Sequence, residues 1–227
     1  MQCPIDLLAS NARAKRERRK DARPGELLAA ALELFVEKGF AATRAEEVAK
    51  RAGVSKGTLF LYFSSKEELF KAVVRENISG RFDEWRMELD QYEGNSADLL
   101  RYCITAWWER VGSTQAAGIS KLMMSEAGNF PELAAFYQAE VIAPGNALVR
   151  RMLQRGIDSG EFRPMELDYG TYLVMAPILF LTIAKQSLGA CMPEGMVFDP
   201  HAYIQAQVDN MLVGLTVRPA PDSPLTL

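Results

Sequence analysis

Apolar positions recur at three- and four-residue spacing along most of this chain, and no stretch of useful length alternates apolar with polar residues. That period belongs to helices, so the pattern predicts an all-α protein. Leu28, Ala31, Leu32 and Phe35 fall at i, i+3, i+4 and i+7 and mark the apolar face of a first helix. Pro24 suits its first turn, where a missing N–H costs nothing, and Gly39 ends it. Thr43-Arg44-Ala45-Glu46 reads as a capping box that opens a second helix. Val48, Ala49 and Ala52 form its buried face, and Gly53 stops it. Ser55 is placed to cap a third helix, which Leu59 and Phe63 would pack onto the first two. Ser65-Lys66-Glu67-Glu68 reads as a second capping box. It opens a fourth helix expected over 66–92, with Gly80 as a weak point. At about 1.5 Å per residue such a helix is roughly 40 Å long, enough to join a head to a body.

The body pattern predicts helices over 96–111 and 114–127, then a long one from Pro131 to about Ile157, kinked at Pro144-Gly145. A very apolar helix follows over 167–188 with Pro177 inside it, and Asp199-Pro200 starts a last helix ending near Val217. The longest apolar run, Tyr172 to Ala184, is interrupted by Thr182 and falls short of the roughly 20 residues that span a bilayer. It reads as a buried helix, with no membrane expected. Ile5-Asp6-Leu7-Leu8 is too short an apolar stretch for a secretory leader. The expected organisation is a flexible basic arm (1–23), an N-terminal three-helix helix-turn-helix head (24–70), a helical body (71–217) and a flexible Pro-rich tail (218–227).

Charge sharpens that division. Residues 1–66 hold 13 Lys and Arg against 8 Asp and Glu, whereas residues 67–227 hold 13 against 21. A basic head on an acidic body implies that only the head meets a polyanion. Residues 13–23 carry seven basic side chains, Arg18 and Arg19 among them. Such a run is either a solvated tail or an arm that reaches phosphates or a minor groove, and its place before the head favours the arm. Cys3, Cys103 and Cys191 lie far apart without metal-ligand spacing, so no disulfide framework, metal or cofactor is expected. Reduced thiols fit a cytoplasm. A single histidine, His201 at a helix start, and the absence of phosphate-loop, dinucleotide, zinc-protease and nucleophile-elbow motifs speak against an enzyme.

The third helix carries the chemistry. A helix that reads base edges presents small or polar side chains at its N-terminal end. Lys56 offers a long cation, Gly57 allows close approach, and Thr58 offers a hydroxyl and a methyl. Thr43, Ser55 and Lys66 lie at helix starts suited to phosphates, and the Tyr62 hydroxyl can reach one. Taken singly, each is an ordinary cap or turn residue; grouped behind a basic arm, they point to DNA.

Residues 24–70, with the text ALELFVEKGFAATRAEEVAKRAGVSKGTLFLYFSSKEELF, resemble the DNA-binding domain of the TetR/AcrR family of bacterial transcriptional regulators. The likeness spans about a fifth of the chain. SEAGNFPELAAFY also resembles a stretch in the C-terminal domains of efflux-type members. The resemblance implies DNA contacts from Lys56, Gly57, Thr58, Tyr62 and Lys66, with Thr43, Arg44 and Ser55 assisting. The chain departs from the family pattern at Phe60 and Leu61, where polar aromatics are usual. Phe60 keeps the ring without a hydroxyl, and Leu61 offers only apolar contact, such as with a thymine methyl. Both stay among the DNA-binding candidates.

In the body, Cys103, Trp107, Trp108, Met123, Met124, Phe136, Tyr137, Met175 and Phe180 are either ordinary core or the lining of an adaptable apolar pocket. Trp107 and Trp108 point about 100° apart, so at most one lines a given cavity. By resemblance the last two helices form a homodimer surface. The resulting expectation is a homodimeric repressor, released from a pseudo-palindromic double-stranded DNA operator by a small, largely apolar effector. An activator, a regulator without an effector, an enzyme with a helical head and a membrane-surface module remain alternatives at this level.

Overall fold

Residues 23–38 form helix α1, whose buried face takes in Leu27, Leu28, Ala31, Leu32, Leu34 and Phe35. The computed structural model describes residues 23–187 and 198–216; the arm with Arg18 and Arg19, and the tail, lie outside the described residues. Gly39 ends α1 at φ 85°, in the left-handed region that glycine enters without strain. Helices α2 (Ala45–Arg51) and α3 (Lys56–Tyr62) close on α1 by burying Val48, Ala49 and Leu59. Phe35, Phe40 and Phe70 meet in an aromatic triangle with ring centroids 5.6, 5.4 and 5.5 Å apart.

The expected capping box at Thr43 is displaced. Thr43 is buried, and its hydroxyl donates to the carbonyls of Leu34 (3.1 Å) and Gly39 (2.7 Å) at the end of α1. The Gly39 carbonyl, just beyond the helix, needs a donor, and a buried hydroxyl needs acceptors, so each satisfies the other. The cap of α2 falls instead on Arg44, whose N–H is accepted by the Glu47 carboxylate at 3.2 Å. Ser65 does cap α4 (Lys66–Asn77), accepting the Glu68 N–H at 3.1 Å, but the Glu68 carboxylate turns to Lys71.

The fourth helix is not continuous to 92. It breaks after Asn77 into a 3-10 turn (Ser79–Arg81) and α5 (Phe82–Gln91). A Cβ on Gly80 would stand 2.6 Å from the Arg75 carbonyl oxygen, so the backbone approaches here as only glycine permits.

Helix α6 (Ser96–Trp107) continues through a π turn (Trp108–Gly112). Helix α7 spans Ala117–Glu126, starting three residues later than expected, because the Thr114 hydroxyl accepts the Ala116 N–H at 3.2 Å. Helix α8 (Pro131–Tyr137) leads through a second π turn (Gln138–Ile142) into α9 (Ala143–Asp158). That turn stands where a kink was expected: Pro144 has no N–H for the Glu140 carbonyl, and the ladder widens just ahead of it. Helices α10 (Leu167–Ser187) and α11 (Pro200–Leu215) complete the described body, with Asp199 capping α11 through the His201 N–H at 2.9 Å.

Two apolar cores result. One joins α1–α4 to Phe82, Ile119, Met123, Leu133 and Tyr137, so the packing of the head continues into the body. The other gathers α6, α9, α10 and α11 around Trp108, Leu153, Phe162 and Val208. Helix α10, at 21 residues, is long and apolar enough to cross a bilayer by length and composition alone. The expected burial holds on one side only: Val174, Ile178 and Leu181 pack in the second core, whereas Tyr172, Leu173 and Phe180 stand exposed and only 33% of the apolar window is buried.

Candidate nucleic-acid interface

The α2–α3 turn is set by its backbone. Ala52 and Val54 donate to the carbonyls of Val48 and Ala49 at 2.9 Å each, and Gly53 takes φ 67°. Ser55 then caps α3 by accepting the Thr58 N–H at 3.1 Å, and the Ser55 and Thr58 hydroxyls lie 2.9 Å apart. Leu59, fully buried, fixes how α3 is turned. At about 100° per residue, Gly57 and Leu61 then lie on the opposite side of the helix, facing outward. Lys56 and Phe60 occupy one flank and Thr58 and Tyr62 the other.

The outward side is open. Around Gly57 the nearest atom to an added Cβ is the Ser55 hydroxyl oxygen at 3.7 Å. Leu61 is 83% exposed and Phe60 40%. The Lys56 ammonium stands 5.8 Å from the Phe60 ring centroid and pairs with Glu46 on α2. That pairing holds the Glu46 carboxyl below its ordinary range. Arg44 is exposed at the start of α2. One short, projecting helix therefore offers a cation, an aromatic edge, hydroxyls and a bare backbone on one surface.

Two expected contacts are redirected. The half-buried Lys66 ammonium donates to the carbonyls of Phe40 (2.8 Å), Ala41 (3.3 Å) and Thr43 (3.1 Å), and lies 4.3 Å from the Phe40 ring centroid. Its three donors are spent holding the α1–α2 turn, not a phosphate. The Thr43 hydroxyl is likewise committed inside the head.

The model of the family described as "Bacterial regulatory proteins, tetR family" matches residues 27–73, and the one described as "Tetracyclin repressor-like, C-terminal domain" matches residues 93–188. The HTH-type transcriptional regulator YfiR of Bacillus subtilis is 31% identical over 152 residues, covering 65% of this chain and 71% of that protein. The chain belongs to the TetR family. The HTH-type transcriptional repressor KstR2 of Mycobacterium tuberculosis is also 31% identical, covering 65% of this chain and 72% of its own length. The solved structure of the transcriptional regulator FadR from Bacillus subtilis in complex with stearoyl-CoA shares the fold, with TM-score 0.66, 17% identity, and 83% and 97% of the two chains covered. This protein is thus a DNA-binding transcriptional regulator built on an all-helical TetR scaffold.

Within this TetR-family regulator the nine body candidates do not converge on one cavity. Met123 and Tyr137 are buried in the first core, with Phe136 packed against it. Trp108 is buried in the second, with Cys103 and Met175 against it, and half-buried Trp107 touches both. Burial pushes the Cys103 thiol up to about 11, as expected of a packed thiol. Met124 (64% exposed) and Phe180 (58% exposed) are corrections: they stand at the surface, because α7 and α10 are apolar on more than one side. A groove of about 380 Å³ lies elsewhere, at the head–body seam, lined by Leu28, Ala72, Arg75, Glu76, Gly80 and Arg81.

Two ties between head and body escaped the sequence reading. Glu126, at the end of α7, accepts the backbone N–H groups of Phe40 (2.8 Å) and Ala41 (3.0 Å). Beside it, the Phe130 ring meets Phe40 edge-on at 4.8 Å. The second tie is Arg75 on α4, bonded twice to Glu140 in the π turn at 2.8 and 2.6 Å. Glu126 and Phe130 both fall inside the segment whose family likeness was visible; nothing in its local spacing shows what it grips.

Proposed function

We propose that this regulator is a homodimeric repressor that reads a pseudo-palindromic operator with α3 and is released by a small, largely apolar effector bound in the body. The observation that carries the reading is the outward face of α3, where Gly57 leaves the backbone bare opposite the buried Leu59, with Lys56 on one flank and Thr58 on the other. In the bound state Lys56 exchanges Glu46 for DNA, Arg44 and Tyr62 meet phosphates, and the basic arm adds sequence-independent affinity. The exposed side chains of α10, Tyr169, Tyr172, Leu173 and Phe180, pack against a second copy, with Val213 of α11 beside them.

Effector and operator are coupled through the two ties. A ligand that shifts α7 or the π turn pulls on Phe40–Ala41 through Glu126, or on α4 through Arg75, and changes the spacing of the two reading heads. A ligand shifts the equilibrium only as far as it prefers one spacing. The stearoyl-CoA bound in the Bacillus subtilis FadR structure supports an apolar effector, and the aromatic and methionine content of the body accords with it. The protein acts by binding alone, in the bacterial cytoplasm. A mobility shift on DNA upstream of its own gene, with stearoyl-CoA as first probe, tests the reading. A retarded complex that stearoyl-CoA or another apolar ligand dissolves supports it; a complex indifferent to all such ligands removes the effector from the account.

A further inference from the structure

The outward line of α3 holds Gly57 and Leu61, one turn apart. At about 100° per residue they lie roughly 160° and 200° round the helix from the buried Leu59. Leu61 is 83% exposed, the most exposed of the large apolar side chains among the described residues. A lone surface leucine is ordinary. This one sits where a groove-reading helix makes its closest approach, because Gly57 has no side chain to hold the backbone away. The hydrogen-bonding groups of α3 lie on its flanks, so the outward line itself has no side-chain donor or acceptor.

That chemistry selects its partner. Base edges in the major groove present donors, acceptors and a single apolar group, the C5-methyl of thymine. A leucine that excluded water from a donor or acceptor would leave it unpaired, at a cost a methyl contact avoids. We propose that Leu61 is a specificity-determining residue, and that each half-site holds a thymine whose methyl packs on it. The proposal rests on the assignment of α3 as the reading helix.

The test begins with duplexes selected by the purified full chain from a random-sequence pool. Each thymine of the selected site is then replaced in turn by deoxyuridine, which lacks only the methyl. For the native chain, one replacement per half-site weakens binding roughly fourfold, the worth of one buried methyl. With Leu61→Ala that penalty vanishes while binding elsewhere in the site persists; with Leu61→Met it is retained. Because Leu61 is exposed, both variants melt as the native chain does. A penalty of equal size in the Leu61→Ala chain, or no penalty at any thymine, overturns the proposal. Selection of no preferred sequence overturns the reading role of α3 itself, a separate failure.

Discussion

Head and body expose apolar surface in opposite ways. On α3 the inward side is buried at Leu59, and the outward side offers Gly57 and Leu61, flanked by hydroxyls, a cation and the Phe60 ring. On α10 the inward side is buried too, but the outward side carries Tyr169, Tyr172, Leu173 and Phe180 as a stripe. A short helix with a bare, polar-flanked outer face suits a hydrated, charged duplex. A long helix with an aromatic outer face suits another protein surface. The two regions differ in what each leaves uncovered: a bare backbone with polar flanks on α3, and an aromatic stripe on α10.

The largest effect falls where the two regions share a core. Phe40→Ala removes a ring that touches Phe35, Phe70 and Phe130 and underlies Lys66, and costs about 3–5 kcal/mol in urea denaturation. Glu126→Ala leaves the Phe40 and Ala41 amides without their acceptor and costs about 1–3 kcal/mol, with faster hydrogen exchange at those two amides. If Glu126 only decorates the surface, neither stability nor exchange moves. Gly57→Ala separates packing from function: α3 gains up to about 1 kcal/mol of helix propensity, since there is room for the methyl, while DNA affinity falls. Unchanged DNA affinity in that variant would erase the contrast between the two outer faces.

The smallest effect is a pH dependence in the body. Hydrogen bonds from Arg110 hold the Glu88 carboxyl below its ordinary range, against a smaller opposing effect of burial. A depressed carboxyl stabilises fully above its unfolded value, near 4.3, and loses that contribution as pH falls through the folded value. Denaturation between pH 3 and 7 therefore shows a slope that Glu88→Gln reduces.

Much of the fold was legible in local spacing. Leu28, Ala31, Leu32 and Phe35 marked α1, Gly39 and Gly53 marked two stops, and Ser55 and Ser65 marked two starts, because each acts through neighbours within one turn. The outward side of α3 was legible for the same reason, once Leu59 fixed its inner side. The rest depends on partners far along the chain. Lys66 reaches a carbonyl 26 residues away, and Glu126 an amide 86 residues away, and no local period records either. Thr43 looked like a cap and became an internal donor because tertiary burial placed two carbonyls in its reach. Met124 and Phe180 looked like pocket lining because a helix apolar on several sides does not say which side faces in.

The measurement closest to the central claim is the salt dependence of binding to a selected duplex for the native chain and for Lys56→Ala. If α3 enters the groove as described, Lys56→Ala weakens binding about tenfold or more. If Lys56 meets a phosphate, the variant also lowers the slope of log affinity against log salt by about one. Equal affinity and equal slope for the two chains would contradict the assignment of α3 as the reading helix.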